Sequence, residues 1–309
     1  MKFLDVKTDF AFKKVFGSTD SKDILISFLN SVIEFDNKQK ITDLTIVDPY
    51  SIPLLKGMKD TYVDVKAELS DKSRVIIEMQ VLNHEGFEKR ILYNAAKNYS
   101  IQLKKGDAYH LLNPVIALTI TDFILFDNSS ELINNFKLLE KKQFIEYSDD
   151  IELIFIELPK FIKTEEELET IQDKWIYFIK NAEDLNYIPN NLEQELKKAF
   201  NVANEAGLSE EELELQHKKK DWIYIQKSSI ELATKTGLQQ GLEQGLEQGL
   251  EQGLEQGLEL GLEQGLQQGE FNATTKMVLN AHHIGLPIPT IIELTGLSED
   301  EIALILQNK

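Results

Sequence analysis

Two short runs of β-branched residues, split by a polar turn, constrain this chain more than any other feature in it. Tyr62-Val63-Asp64-Val65-Lys66-Ala67-Glu68 precedes Ser70-Asp71-Lys72-Ser73, and Arg74-Val75-Ile76-Ile77-Glu78-Met79-Gln80-Val81 follows. That order predicts a β-hairpin. Side chains alternate across a strand, so Val63, Val65 and Ala67 are expected on one face and Asp64, Lys66 and Glu68 on the other. On the second strand Glu78 and Gln80 share a face. Pairing the strands brings the Asp64 and Glu78 carboxylates to one side of a sheet. Two carboxylates held that close repel unless something positive lies between them. A hard divalent cation with oxygen ligands, Mg²⁺ most often, is the usual solution. The plainer alternative is a pair of solvent-facing carboxylates on a half-exposed hairpin.

The surrounding pattern predicts an α/β domain. Helices are expected from about Asp9 to Val15 and from about Ser21 to Val32, then a strand from Ile41 to Val47 and the hairpin. An amphipathic helix follows from about Phe87 to Lys104, with Ile91, Ala95 and Tyr99 at four-residue spacing. Pro114 to Ile120 is continuously apolar, as a strand buried on both faces would be. Gln143–Tyr147 and Ile151–Glu157 read as a further hairpin across Ser148-Asp149-Asp150. Helix, strands, helix, strand is the order of a mixed sheet wrapped by helices. Beyond it the chain turns helical. Thr164 with Glu167 and Ser209 with Glu212 make capping boxes, and a polar loop surrounds Pro189-Asn190-Asn191.

The hairpin and the opening helix together resemble a known family. Acidic residue, turn, then Glu-x-Gln is similar to the PD-(D/E)xK nuclease core in its variant with Gln in place of Lys. Thr8-Asp9-Phe10-Ala11-Phe12-Lys13-Lys14-Val15-Phe16-Gly17, with Ile26-Ser27-Phe28-Leu29-Asn30, resembles the opening helices of the recombination-promoting nuclease and transposase branch of that superfamily. Arg90 and Tyr93 also fit its pattern. The resemblance implies a restriction-endonuclease-like fold and metal-dependent DNA endonuclease activity linked to recombination, mobile elements or defence. It implies Asp64, Glu78 and the Met79 carbonyl as ligands of Mg²⁺ or another divalent cation. Gln80 stands where Lys is common. An amide can orient a water but cannot accept its proton, so Lys66, Arg90 or Lys97 is left to supply the cation. Asp9 and Lys13, four residues apart, make an ordinary helix-start pair; the resemblance adds a place beside the metal for the helix and a phosphate contact for Lys13.

Charge divides the chain. Through His110 there are 17 Lys and Arg against 16 Asp and Glu, so the net charge of −19 arises wholly beyond that point. Positive potential along a phosphate track is therefore expected only from the N-terminal part, through Lys13, Lys14, Lys66, Arg90, Lys97, Lys104 and Lys105. The acidic remainder opposes tight non-specific DNA binding. The sequence has no Cys, which excludes disulfides and thiolate metal sites and suits a reducing cytoplasm. No apolar run is long enough to span a bilayer.

Four segments are expected: a nuclease-like domain over 1–207, a connecting helix over 208–236, a repeat over 237–269 and a small helical tail over 270–309. The repeat is built mostly of Gly-Leu-Glu-Gln units and holds nine of the sixteen glycines, four residues apart. Four residues turn an ideal helix by about 400°, so each row drifts roughly 40° per unit. Either the glycines let helices approach closely in a homodimer or higher homo-oligomer, or the repeat is a low-complexity spacer. The tail, with Gly296 at a turn and a Ser298–Glu301 capping box, resembles a small helix-turn-helix. Its second helix opens Glu-Asp-Glu, which suits packing or partner binding better than phosphates. The rival to a nuclease is a catalytically silent nuclease fold serving as an assembly module. A sequence-specific regulator using the tail ranks last.

Overall fold

Apolar residues at helical spacing make the helices of the N-terminal half, α1 behind a Thr8 cap, while β6 is a continuously apolar strand. The computed structural model describes residues 1–35, 40–51 and 61–307. It divides into two units, Met1–Ser229 and Ile230–Lys309. In the first, α1 (Asp9–Phe16) is capped by Thr8 and buries Ala11, Phe12, Val15 and Phe16, while α2 (Lys22–Val32) buries Ile24, Leu25, Phe28, Leu29 and Val32. Strands β1 (Leu44–Val47), β2 (Tyr50–Ser51), β3 (Thr61–Tyr62), β4 (Val65–Leu69) and β5 (Arg74–Gln80) follow, then α3 (Phe87–Ser100), β6 (Val115–Thr121), β7 (Ile133–Leu139) and β8 (Glu146–Glu157). Helices α4 (Ile171–Asn181) and α5 (Gln194–Val202) close this layer, and α6 (Glu210–His283) begins in it.

The main sheet has the order β1-β4-β5-β6-β8-β7, with β2 and β3 paired separately. β4 is antiparallel to both β1 and β5; β5, β6 and β8 are mutually parallel; and β7 returns antiparallel to β8. This is the mixed, helix-wrapped sheet expected, and every residue of its central strand β6 is buried. One face packs Val65, Ala67, Val75, Ile77 and Met79 into the core with α1, α2, α4 and α5; the other packs Val63, Ile76, Ala117 and Phe155 against Phe87, Ile91 and Ala95 of α3.

Three local expectations are corrected. The second hairpin does not turn at Ser148–Asp150. Those residues lie inside the twelve-residue β8, its partner is Ile133–Leu139, and the connection is Glu140–Ile145. The polar triplet imitates a turn, but register shifts near Leu138 absorb the irregularity and Ser148 satisfies Asp150 locally. The Thr164–Glu167 box forms but caps only a 3₁₀ turn; α4 starts at a second box, in which Thr170 accepts from Asp173 N at 3.0 Å and Thr170 N donates to Asp173 at 3.0 Å. Thr170→Ala should lower stability by about 1 kcal/mol, read as a shift of the urea midpoint with an unchanged m-value. Finally, Val63 does not share the face of Val65 and Ala67. The ladder breaks ahead of Val65, and Val63 turns to the α3 side.

In the second unit the last turns of α6 bury Val278 and Ala281 against Ile291 of α7 (Ile288–Thr295) and Ile302 of α8 (Glu299–Gln307). Gly296 ends α7 in the left-handed region, φ 71°, its N–H donating to Ile292 O at 2.8 Å. Within α6 the repeat leucines Leu238 to Leu266 are all exposed. No helix among the described residues is long and apolar enough to cross a membrane.

Candidate active site

The break that reverses Val63 also builds the site. Pairing between β4 and β5 ends at Val65↔Ile77, one step short of Asp64 and Glu78. Asp64 N still donates to Ile77 O at 3.0 Å, but its side chain then substitutes for the missing strand, Oδ2 accepting from Met79 N at 2.8 Å. In an extended strand the N–H and C=O of one residue point to the same side, so the Met79 carbonyl also faces the gap that Asp64 occupies. Lys13 of α1 reaches Asp64 Oδ1 at 3.2 Å from the other side. Asp64 is 12% exposed and Lys13 45%, so the cation sits at the mouth and the carboxylate inside it.

Glu78 is held from α3. Arg90 pairs with its Oε1, and Asn94, one turn further along the helix, lies 3.5 Å from its Oε2. Arg90 also donates to Gln80 Oε1 at 2.8 Å and lies over the Phe87 ring, 5.4 Å from its centroid. Gln80 Nε2 donates to Leu82 O at 2.8 Å. Both ends of the Gln80 amide are thus engaged, and Gln80 fixes the guanidinium.

Burial dominates the electrostatics. It pushes Glu78 up to about 7 against the opposing pull of Arg90, and the nearby Asp64 charge adds to the rise. Asp64 is raised as well, chiefly by burial, with Met79 N–H and Lys13 opposing and Asp9 adding. The two carboxylates therefore feel each other, and the cations around them do not fully offset their charge. Two carboxylates and a carbonyl form a hard oxygen donor set of the kind Mg²⁺ takes. Among the described residues no group of three or more His, Cys, Asp and Glu side chains converges as a metal cluster.

The other residues singled out by sequence are distributed unevenly. Lys66 is buried in β4 opposite Ile76, with burial and the Arg74 charge lowering its pKa and Asp48 raising it. Lys97 is buried on α3 and Tyr93 is 38% exposed there. Asp9 pairs with Lys219 of α6 at 3.2 Å. Sequence reading missed Asn94, although it sits four residues after Arg90 on the same helix face. It also missed the docking of the first turns of α6. Gln216 meets Thr8 at 2.8 Å, and Lys227 meets Asp122, whose N–H donates to Gln80 O at 3.0 Å. The run His217-Lys218-Lys219-Lys220 was the available signal.

No curated protein and no solved structure matches this chain. The sequence model of the PD-(D/E)XK nuclease family transposase does match it, over residues 6–233, which takes in the sheet, both helical layers and the docked start of α6. The family anticipated from the hairpin and the opening helix is the one found, and the chain belongs to the PD-(D/E)XK nuclease family transposases.

Proposed function

We propose that this protein is a metal-dependent DNA endonuclease, with Asp64, Glu78 and the Met79 carbonyl holding Mg²⁺ or a similar divalent cation. The observation that carries this reading is the pair of buried carboxylates whose charge their neighbours leave incompletely offset. When bound, such a cation polarises a phosphate and lowers the pKa of a water. Asp64 and Glu78 bind it, and Lys13, half exposed beside Asp64, contacts a phosphate oxygen. Gln80 holds Arg90, and Arg90 keeps Glu78 oriented and offsets part of its charge. Lys66, Tyr93 and Lys97 take supporting positions along β4 and α3. The exposed leucines of α6 join copies into a homo-oligomer, and the lack of Cys suits the cytoplasm.

A second reading, a silent nuclease fold used for assembly, draws on the Arg90–Glu78 pair, which occupies one carboxylate, and on Gln80 in place of Lys. Supercoiled plasmid incubated with Mg²⁺ or with EDTA decides between them. The nuclease reading expects Mg²⁺-dependent nicking that Asp64→Ala abolishes. Nicking that survives this substitution would mean a contaminant or a misplaced site, and its absence with several divalent metals and with single-stranded substrates would favour the silent fold.

A further inference from the structure

The end of the second unit holds a groove that its own packing does not fill. Val278 and Ala281 of α6 close on Ile291 and Ile302. The neighbouring stripe of α6, from Gln267 to Leu279, and that of α8, from Glu301 to Ile305, instead line a cavity of about 750 Å³. Twelve residue steps at 1.5 Å each make the α6 stripe roughly 18 Å long, a little over three helical turns. The walls are apolar: Leu279, Leu297 and Ile305 line them together with Phe271, 60% exposed, and Leu304, 62% exposed. Size and lining are those of a binding site rather than of a packing gap.

Two further features belong to this groove. Thr275 lines it, and its Oγ1 is buried without a hydrogen-bond partner among the described residues. A helical threonine commonly turns that oxygen onto the preceding turn, as Thr234 does with Ile230 O at 2.8 Å and Thr295 with Ile291 O at 2.7 Å. A buried hydroxyl left over in this way calls for a partner. The charged residues of the lining, Glu270 and Glu301, are both acidic. Glu301 accepts from Ser298 N at 2.8 Å and from Ser298 Oγ at 2.7 Å, and keeps its charge in doing so. Over residues 267–307 the acids Glu270, Glu293, Glu299, Asp300 and Glu301 stand against Lys276 alone, and Lys276 does not line the groove.

We infer that this groove binds a basic amphipathic helix of a partner protein. Apolar side chains at i, i+3 or i+4, and i+7 of such a helix fill the walls over two turns, and a polar side chain beside them takes the Thr275 hydroxyl. Flanking Lys or Arg side chains meet Glu270 and Glu301. Charge selects this occupant over the others. A second copy offers no free basic helix: its α8 opens Glu299-Asp300-Glu301, and its repeat holds six glutamates and no Lys or Arg between Gly237 and Leu266. The basic run of α6, Lys218 to Lys220, is already paired with Glu214, Asp9 and Glu183. DNA is repelled by the same acidic rim. The inference stands whether or not the first unit cleaves DNA.

The test is fluorescence anisotropy of a labelled, designed peptide of about 15 residues with the full chain. Its leucines follow the i, i+3, i+4, i+7 spacing, and its other positions are Lys and Gln. The controls are the same residues scrambled and a version with Glu in place of Lys. The spaced Lys peptide should bind, and both controls at least about tenfold more weakly. Phe271→Ala/Leu304→Ala, at two exposed positions, should lower affinity at least about tenfold without loss of helicity or thermal stability. Thr275→Val should keep or raise thermal stability while weakening binding about fivefold, and wild-type affinity in that variant would remove the hydroxyl from the site. Binding that the alanine pair leaves unchanged would overturn the assignment, by placing the peptide on the acidic repeat instead. So would equal binding of either control, or no binding of the spaced Lys peptide. A change in sedimentation of the alanine pair with no change in peptide binding would make the groove a contact between copies and would overturn it too.

Discussion

Glu78→Gln is expected to make the protein inactive and more stable. A carboxylate whose pKa rises from its ordinary 4.5 to about 7 on folding is a group the native state would rather keep protonated. Between those values the native chain holds a proton that the unfolded chain has released, so stability falls as pH rises through this window and stays low above it. The difference corresponds to about 3 kcal/mol at pH 8. Gln is nearly isosteric, carries no charge to desolvate, and keeps an oxygen that can accept from Arg90. Weakening of the Arg90 pair offsets part of the gain, so a net stabilisation of about 1–2 kcal/mol is expected. Urea unfolding in EDTA at pH 5 and pH 8 measures it. The wild type should lose stability between the two pH values and the variant should lose much less. A divalent cation should reverse the ranking, since at a hundred times its Kd it adds about 2.7 kcal/mol to the form that binds it. A variant less stable than the wild type at pH 8 would mean that Arg90 and Asn94 already satisfy Glu78, and that no cation is needed there.

The same residue shows what could be read without coordinates. Periodicity of two placed Glu78 and Gln80 on one face, and Ile76 and Glu78 do share the α3 side. Asp64 came to the right neighbourhood for an incomplete reason. Alternation predicted a regular strand, whereas the carboxylate is positioned by a break in that strand and by a bond to Met79 N–H. A break of this kind leaves no mark in composition, because Val63 is apolar whichever core it joins. The sheet was legible where burial imposes a pattern, as in β6, and illegible at β7, whose Asn134-Asn135 and exposed residues look like loop. Arg90 was found through family pattern and Asn94 was not. The docking of α6 depends on partners some 200 residues apart, such as Thr8 with Gln216, and the basic run His217–Lys220 marks a charged face without naming its partners.

Glu157 is the strongest case of a residue whose weight the sequence conceals, and Glu157→Ala is expected to be among the most damaging substitutions in the domain. As the last residue of an apolar strand it reads as a charge emerging into solvent. Instead its side chain is 0% exposed. Oε1 accepts from Leu125 N at 2.5 Å and Phe126 N at 3.0 Å, while Oε2 accepts from Asn134 Nδ2 at 3.1 Å and pairs with Lys160, itself 10% exposed. One carboxylate therefore satisfies two backbone amides of the 122–132 connection, a side chain of β7 and a buried ammonium. Alanine would leave the two backbone amides unpaired and Lys160 without its counter-charge, with only the Phe126 carbonyl left to Lys160 and the Glu131 carbonyl to Asn134, a loss of about 3–5 kcal/mol. Glutamine should recover part of it, since one amide oxygen can still accept from the two backbone N–H groups. The consequence extends toward the site, because the connection starts at Asp122, whose amide bonds the Gln80 carbonyl and whose carboxylate holds Lys227 of α6. Urea unfolding of the two variants should rank them wild type, Gln, Ala. Hydrogen exchange should show the Leu125 and Phe126 amides losing protection in Glu157→Ala before the amides of β6 do. Equal protection at both places would show that the connection is held by its packing, through Phe126 against Phe136 and Phe155, rather than by the buried carboxylate.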